Sequence, residues 1–318
     1  MIYTLTDLSE GGLILSYPFY LVDVFAETKY AGNQLAVVNN AANLSLKAMQ
    51  KIAQEMNYSE TTFITSGEQL NGGYDVRIFS PAEELPFAGH PTLGTAYVIQ
   101  QVMMIGREVP EIRINEQIGQ IPVSFTYKQG QPDVMWMKQV APRFGRTFNV
   151  EDTARALSID SKQIDQSMPV QEVSTGLPFI IVPLKSLDAV KACCIDRVGY
   201  LDLISQAEAK SILVFSPETY NPENQLNARM FDDYHGIAED PATGSANGCL
   251  AAYLVRNNYY GTNRLDIRVE QGYEIGRPSL LLLQAHQMKK EEWEAGEEAV
   301  ISVSVGGKAI LVARGELL

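Results

Sequence analysis

Glu60, His90 and Asp240 carry side chains of the types that take up, hold or give a proton, and each stands at the edge of an expected helix or strand. Glu60 opens the segment ETTFI, whose alternation of Phe63 against Thr62 and Ile64 marks a strand at least half buried. A carboxyl drawn into such a strand loses solvation. Its pKa rises toward neutrality, where a group that takes up and returns protons must titrate. A solvated glutamate at a strand end fits the same local pattern. His90 and Asp240 each stand before a proline, in FAGHPTLGTA (87–96) and EDPATGSA (239–246). Proline suits the first position of a helix, so both residues are expected to be N-caps. Aspartate is a favoured cap and histidine is not, which gives His90 another task. Beside a helix N-terminus its ring is held neutral and can donate or accept a hydrogen bond.

The first turns of the two expected helices contain Thr92, Gly94 and Thr95, and Thr243, Gly244, Ser245 and Ala246. A helix start carries unsatisfied N–H groups and a partial positive charge, and small residues let an anion reach it. The guest would be a carboxylate or a phosphate. Small residues also let a helix pack closely on a sheet. Two matched helices favour the ligand reading, with Gly94 and Thr95 on one side of a cleft and Thr243, Gly244 and Ser245 on the other.

The match between the helices is part of a repeat. Segments 77–96 (RIFSPAEELPFAGHPTLGTA) and 229–246 (RMFDDYHGIAEDPATGSA) both open on Arg-x-Phe and close on a Pro-x-x-Gly-[Thr/Ser]-Ala run. Lying about 150 residues apart, they point to a duplicated domain. The helix after each motif is apolar nearly all round and must be buried. Strands are expected at 19–26, 34–38, 61–65, 74–79, 111–115 and 120–127, then at 178–184, 211–215, 226–231, 265–270, 299–305 and 308–315. Gly306-Gly307 reads as a two-residue hairpin between the last two. Residues 45–56 form an amphipathic helix capped by Ser45, with Leu46, Met49, Ile52, Ala53 and Met56 on one face. The fold class is α+β: two similar domains, each a curled, mostly antiparallel sheet around a buried central helix.

Bulk composition narrows the function. The chain has 318 residues, enough for two domains, with 46% hydrophobic and 20% charged residues. Its 25 basic and 38 acidic groups leave a net charge of −13, and no basic cluster is present to neutralise nucleic-acid phosphates. Cys193, Cys194 and Cys249 offer neither a disulfide framework nor metal-ligand spacing, which fits the cytoplasm. Residues 1–16 carry Asp7 and Glu10 where a signal peptide would be basic, and read as a short extension. No apolar run is long enough for a membrane span. No G-x-G-x-x-G follows a strand, which removes a Rossmann oxidoreductase.

Five segments in order, VDVFAETKYAGNQLAVV (22–38), QEMNYSETTFI (54–64), FAGHPTLGTA, EDPATGSA and VSVGGKAILVARGEL (303–317), resemble the PhzF-like phenazine-biosynthesis family. The resemblance covers the chain from about residue 18 onward. It implies a diaminopimelate-epimerase-like fold and an isomerase that works without metal or organic cofactor on a small carboxylate-bearing substrate. It places the acid/base on Glu60, with His90 and Asp240 as its catalytic partners and Ser245 on the substrate carboxylate. It also implies a homodimer. The domains would comprise 17–128 with about 304–318, and 129–303. Epimerases and racemases of this fold exchange protons between two thiols. Here the first motif has no cysteine and Cys249 falls inside the second helix, which argues against that chemistry. A non-catalytic carboxylate-binding protein on the same fold is the alternative. Tyr30, Asn33, Arg77 and Asp23 could shape the pocket but have no feature that ranks them.

Overall fold

The structure, a computed structural model, describes residues 16–69, 71–288 and 300–318. The extension read over 1–16 therefore lies outside the described residues except for Ser16. In chain order the first half contains β1 (Tyr17–Val24), β2 (Asn33–Val38), α1 (Leu46–Met56), β3 (Glu60–Glu68), β4 (Gly73–Phe79), β5 (Glu84–Leu85), α2 (Gly89–Val98), β6 (Glu111–Glu116), β7 (Gly119–Lys128) and β8 (Gln131–Lys138). The second half contains β9 (Arg143–Thr147), α3 (Val150–Ala156), β10 (Gln171–Ser174), β11 (Pro178–Pro183), α4 (Leu187–Ala192), α5 (Arg197–Ser205), β12 (Ser211–Ser216), β13 (Leu226–Asp232), β14 (Ile237–Asp240), α6 (Gly244–Arg256), β15 (Arg264–Gln271), β16 (Ser279–Gln287), β17 (Ile301–Gly307) and β18 (Ala309–Leu317).

The same order of pairings occurs twice. In the first half β1–β2 is antiparallel, β2–β3 parallel, β3–β4 and β4–β5 antiparallel, β4–β6 parallel, and β6–β7 and β7–β8 antiparallel. Strands β10 to β17 repeat that order with the same polarities. Alternation sets which side of each strand faces inward. In β15, Leu265 and Ile267 are buried, whereas Asp266 faces solvent and Arg268 is half-buried. The two halves join where β8 pairs with β17.

The strand that follows β8 and the strand that follows β17 each pair away from their predecessor. β9 follows β8 but pairs with β10, and β18 follows β17 but pairs with β1. The pairing therefore changes hands at 139–142 and at Lys308. Gly306-Gly307 is not a hairpin: β17 lies on β16 and β8, and β18 on β1. A Cβ on Gly306 would stand 2.5 Å from the Trp136 ring, and one on Gly307 2.4 Å from the Phe25 ring. The glycines let the strand pass against two aromatic side chains.

Both central helices are buried, as their uniform apolarity requires. In α2 the side chains from His90 to Ala96 are enclosed, and in α6 those from Ser245 to Val255. One apolar core runs through both halves, from Val22, Leu35 and Leu93 to Leu250, Val269 and Val305. Helix α1 starts where expected: Ser45 Oγ accepts a hydrogen bond from the Ala48 N–H at 3.2 Å. Met49 and Ala53 carry its buried face, and Leu46 lies exposed at its start.

The repeat's two arginines have matching partners. Arg77 makes a two-pronged ion pair with Glu84 (2.7 and 2.6 Å), and Arg229 makes one with Glu239 (3.0 and 2.7 Å). Each clamps the short strand that leads into its motif. Arg77 is thereby a scaffold residue.

Candidate active site

The two motifs do not start their helices at the same place. Helix α2 begins at Gly89, after an extended Ala88, so His90 lies inside the first turn. Helix α6 begins at Gly244 with Thr243 as its N-cap residue, and Asp240 ends β14 three residues earlier. Neither His90 nor Asp240 is an N-cap. In α2 the proline takes the third helical position, where its missing N–H is still no loss. In α6 the proline precedes the helix altogether.

This offset decides which backbone groups remain free. The first intrahelical bond of α2 runs from Thr92 N to Ala88 O (3.2 Å), which leaves the N–H groups of Gly89 and His90 without a helical acceptor. That of α6 runs from Asn247 N to Thr243 O (3.0 Å), which leaves Gly244, Ser245 and Ala246. The two helix starts face each other: a Cβ on Gly89 would lie 3.8 Å from Ser245 N. Gly94 and Thr95 sit deeper in α2 and are turned away. A Cβ on Gly94 would meet Leu35 at 2.5 Å and Val24 at 2.8 Å, and the Thr95 hydroxyl bonds that of Thr62 at 2.7 Å. Their small size serves the packing of α2 on β1, β2 and β3.

Glu60 begins β3 beside Leu35 of β2, immediately after α1 and its left-handed cap Asn57. Its Oε2 lies 3.4 Å from His90 Nε2, and both atoms are shut off from solvent without a hydrogen-bond partner. Burial, with the charges of Asp240 and Asp232 adding to it, pushes the Glu60 carboxyl up to about 8. Burial drives the His90 imidazole down to about 3, against a smaller opposing effect of the Gln34 backbone, so the ring is neutral. Asp240 is raised to about 6, burial prevailing over its hydrogen bonds from Thr243 and Asn33. The sequence-predicted catalytic trio thus spans acidic to weakly basic pH.

Both oxygens of Asp240 are held. Asn33 Nδ2 donates to Oδ1 at 2.9 Å and also to Ala242 O at 3.0 Å; the Thr243 hydroxyl donates to Oδ2. Gln271 braces the same turn from β15, its Nε2 donating to Asp240 O at 2.8 Å. Asn33 belongs to the first half, so the aspartate is fixed across the join. Asp23 and Tyr30 are also placed by the join. Arg277 Nη2 pairs with Asp23 Oδ1 at 2.7 Å, and Tyr30 N donates to Asp23 Oδ2 at 2.6 Å. Of the four residues that the sequence left unranked, Asn33 alone touches a catalytic candidate. Its place inside the motif segment 22–38 gave no signal of this, since Asp23 and Tyr30 lie in the same segment.

Cys249 lies buried in α6, with Sγ 3.5 Å from Thr175 Oγ1, and burial pushes its thiol up to about 12. It is unfit for proton exchange at neutral pH. Among the described residues, no group of three or more His, Cys, Asp or Glu is arranged to hold a metal ion, and no helix is long and apolar enough to cross a membrane.

The described strands form a mixed sheet around two buried helices whose starts face each other, with the Glu60–His90 pair beside them. A hydroxyproline epimerase of Agrobacterium vitis shares the fold at 9% identity and a TM-score of 0.63, over 95% of this chain and 91% of its own. The profile of the phenazine biosynthesis-like protein family (PhzC-PhzF) matches residues 22–315, and the chain belongs to that family of isomerases. An uncharacterised isomerase of Pasteurella multocida is 32% identical over 96% of this chain and 95% of its own. The trans-2,3-dihydro-3-hydroxyanthranilate isomerase of Pseudomonas fluorescens is 32% identical over 94% of this chain and 99% of its own. A crystal structure of a PhzF-family phenazine biosynthesis protein of Bacillus anthracis superposes with a TM-score of 0.85 at 26% identity, covering 96% and 100% of the two chains.

Proposed function

We propose that this isomerase relocates a proton on a small, carboxylate-bearing, cyclic substrate, without a cofactor, using Glu60 as its acid/base. The observation that carries this reading is the Glu60–His90 pair: its facing atoms Oε2 and Nε2 are enclosed and unpartnered, beside two helix starts that face each other. The substrate carboxylate lies at the free N–H groups of Gly244, Ser245 and Ala246, where helix dipole and donors act together. The Ser245 hydroxyl and the Gly89 N–H complete its cradle. Ionised Glu60 takes a proton from a carbon next to an unsaturated system, and the electron pair enters that system. The resulting acid returns the proton to another carbon, so atoms and electrons balance with no redox partner. A carboxyl raised to about 8 suits both steps, since each protonation state is accessible near neutral pH. Neutral His90 and the fixed Asp240 orient polar groups of the substrate.

Trans-2,3-dihydro-3-hydroxyanthranilate, the compound in the Pseudomonas relative's name, is one candidate among small cyclic carboxylates. The three free cysteines fit action in the cytoplasm, and the family resemblance supports a homodimer. The test is deuterium uptake from D₂O into a panel of such carboxylates, followed by mass spectrometry. Uptake by the wild type that disappears in Glu60→Gln is expected. Uptake that persists in Glu60→Gln would sink the assignment.

A further inference from the structure

The proton-transfer site leaves one buried carboxyl unused. Glu116 ends β6 under the first turn of α2. It is 9% exposed, and its Oε2 is enclosed without a partner. Its Oε1 lies 2.5 Å from Thr92 Oγ1, and the same hydroxyl lies 2.7 Å from the Ala88 carbonyl oxygen. A threonine hydroxyl has one proton to give. If Thr92 gives it to Ala88, the contact with Glu116 needs a proton from the carboxyl. If Thr92 gives it to Glu116, two oxygens face each other at 2.7 Å with no proton between them. Only a protonated Glu116 fills both contacts.

The repeat supplies a second, independent observation. Tyr74 pairs with Ile114 and Asp75 with Asn115, as Leu226 pairs with Val269 and Asn227 with Glu270. Glu116 therefore stands where Gln271 stands in the second half. Gln271 is a neutral brace at the start of α6: Nε2 donates to Asp240 O (2.8 Å) and Thr243 Oγ1 (3.2 Å), and Oε1 accepts from Asn247 Nδ2 (2.8 Å) and Thr243 N (3.3 Å). A protonated carboxyl is the acid that can do an amide's work, with one donor and one acceptor.

We infer that Glu116 is a neutral carboxylic acid that fixes the first turn of α2 through Thr92, and so positions Gly89 and His90 for the reaction. Burial, partly opposed by the Thr92 contact, raises its pKa to about 8, which agrees with the geometry. Glu116 touches neither substrate nor Glu60; it is a positioning residue. The positioning role rests on the Glu60–His90 reading, whereas the protonation state does not.

The test uses the full chain, with Glu116→Gln and Glu116→Leu. An infrared difference spectrum, wild type minus Glu116→Gln at pH 7, is expected to show a protonated-carboxyl C=O band from the wild type. A carboxylate band in its place would overturn the inference. In the deuterium-exchange assay Glu116→Gln is expected within about twofold of wild type, because the amide donates to Thr92 as the acid does. Glu116→Leu should lower kcat on the order of tenfold with KM nearly unchanged, as a displaced catalytic group does. Equal damage in both variants, or none in either, would overturn the positioning role. Absence of exchange in the wild type would count against the Glu60 reading, and the infrared band would still decide Glu116.

Discussion

Glu60 in the first half and Ser211 in the second occupy the same place. Thr61 pairs with Phe79 as Ile212 pairs with Phe231, so each residue opens the matching strand of its half. In one half that position carries a half-buried acid whose Oε2 is enclosed. In the other it carries a hydroxyl that donates to Asp232 Oδ1 at 2.8 Å. His90 and Asp240 form a second unlike pair, one a neutral ring within a helix, the other a carboxylate before one. The helix starts differ as well: Gly89 begins α2, whereas α6 begins at Gly244, the match of Gly94. The two halves thus share an order of strand pairings and differ in the side chains at matching positions. Two equivalent bases facing each other suit exchange across a carbon centre; one acid opposite an anion-binding turn suits moving a proton along one face of a substrate.

Experiments on equivalent positions can break this comparison. The largest effect is expected for Glu60→Gln, a loss of proton exchange of about 10³-fold, in the range measured for general acid/base groups. Asp240→Asn comes next, with about tenfold lower kcat/KM at neutral pH from a disturbed turn. Its pH profile tests the coupling. With Glu60 acting first as a base, kcat/KM should climb with pH and level off above about 8. Removing the Asp240 charge lowers the Glu60 pKa, so the plateau should begin at lower pH; an unmoved plateau would show the two groups to be independent. Gly94→Ala should cost stability rather than chemistry, about 1–3 kcal/mol from overpacking against Leu35 and Val24, read as a lower Tm. Gly89→Ala, whose Cβ would meet only Met137 at 3.5 Å and Ser245 N at 3.8 Å, should leave Tm in place and raise KM. The smallest effect belongs to Ser211→Ala, within about threefold in kcat/KM, since its hydroxyl is engaged by Asp232 and takes no part in the proposed proton transfer. A loss as large as that of Glu60→Gln would show that both halves do the chemistry.

Much of this architecture was legible in the residues. The apolar patterns gave twelve of the strands but missed β5, β8, β9, β10, β14 and β16, Ser45 gave the start of α1, and all-round apolarity gave the burial of α2 and α6. The helix starts were not legible, because proline fits the first turn at more than one position and also the loop ahead of it. Gly94 and Gly244 could not be told apart by type: one accommodates Leu35, the other begins a helix. The hairpin expected at Gly306-Gly307 failed because the partner of β18 lies at the other end of the chain. Asn33 with Asp240 and Asp23 with Arg277 are 207 and 254 residues apart, beyond any local pattern. Glu60 was singled out by family resemblance, since its local sequence fits an exposed strand end equally well.

The crossing of β18 onto β1 has a consequence for synthesis on the ribosome. Tyr17 pairs with Leu317, so β1 keeps one edge open until β18 has been made. Throughout translation that edge offers unpaired N–H and C=O groups to any other extended segment. A truncation that removed only β18 would spare every residue of the proposed site and still leave β1 uncovered. Such a protein should accumulate as aggregate, with its catalytic groups intact in sequence and lost in practice.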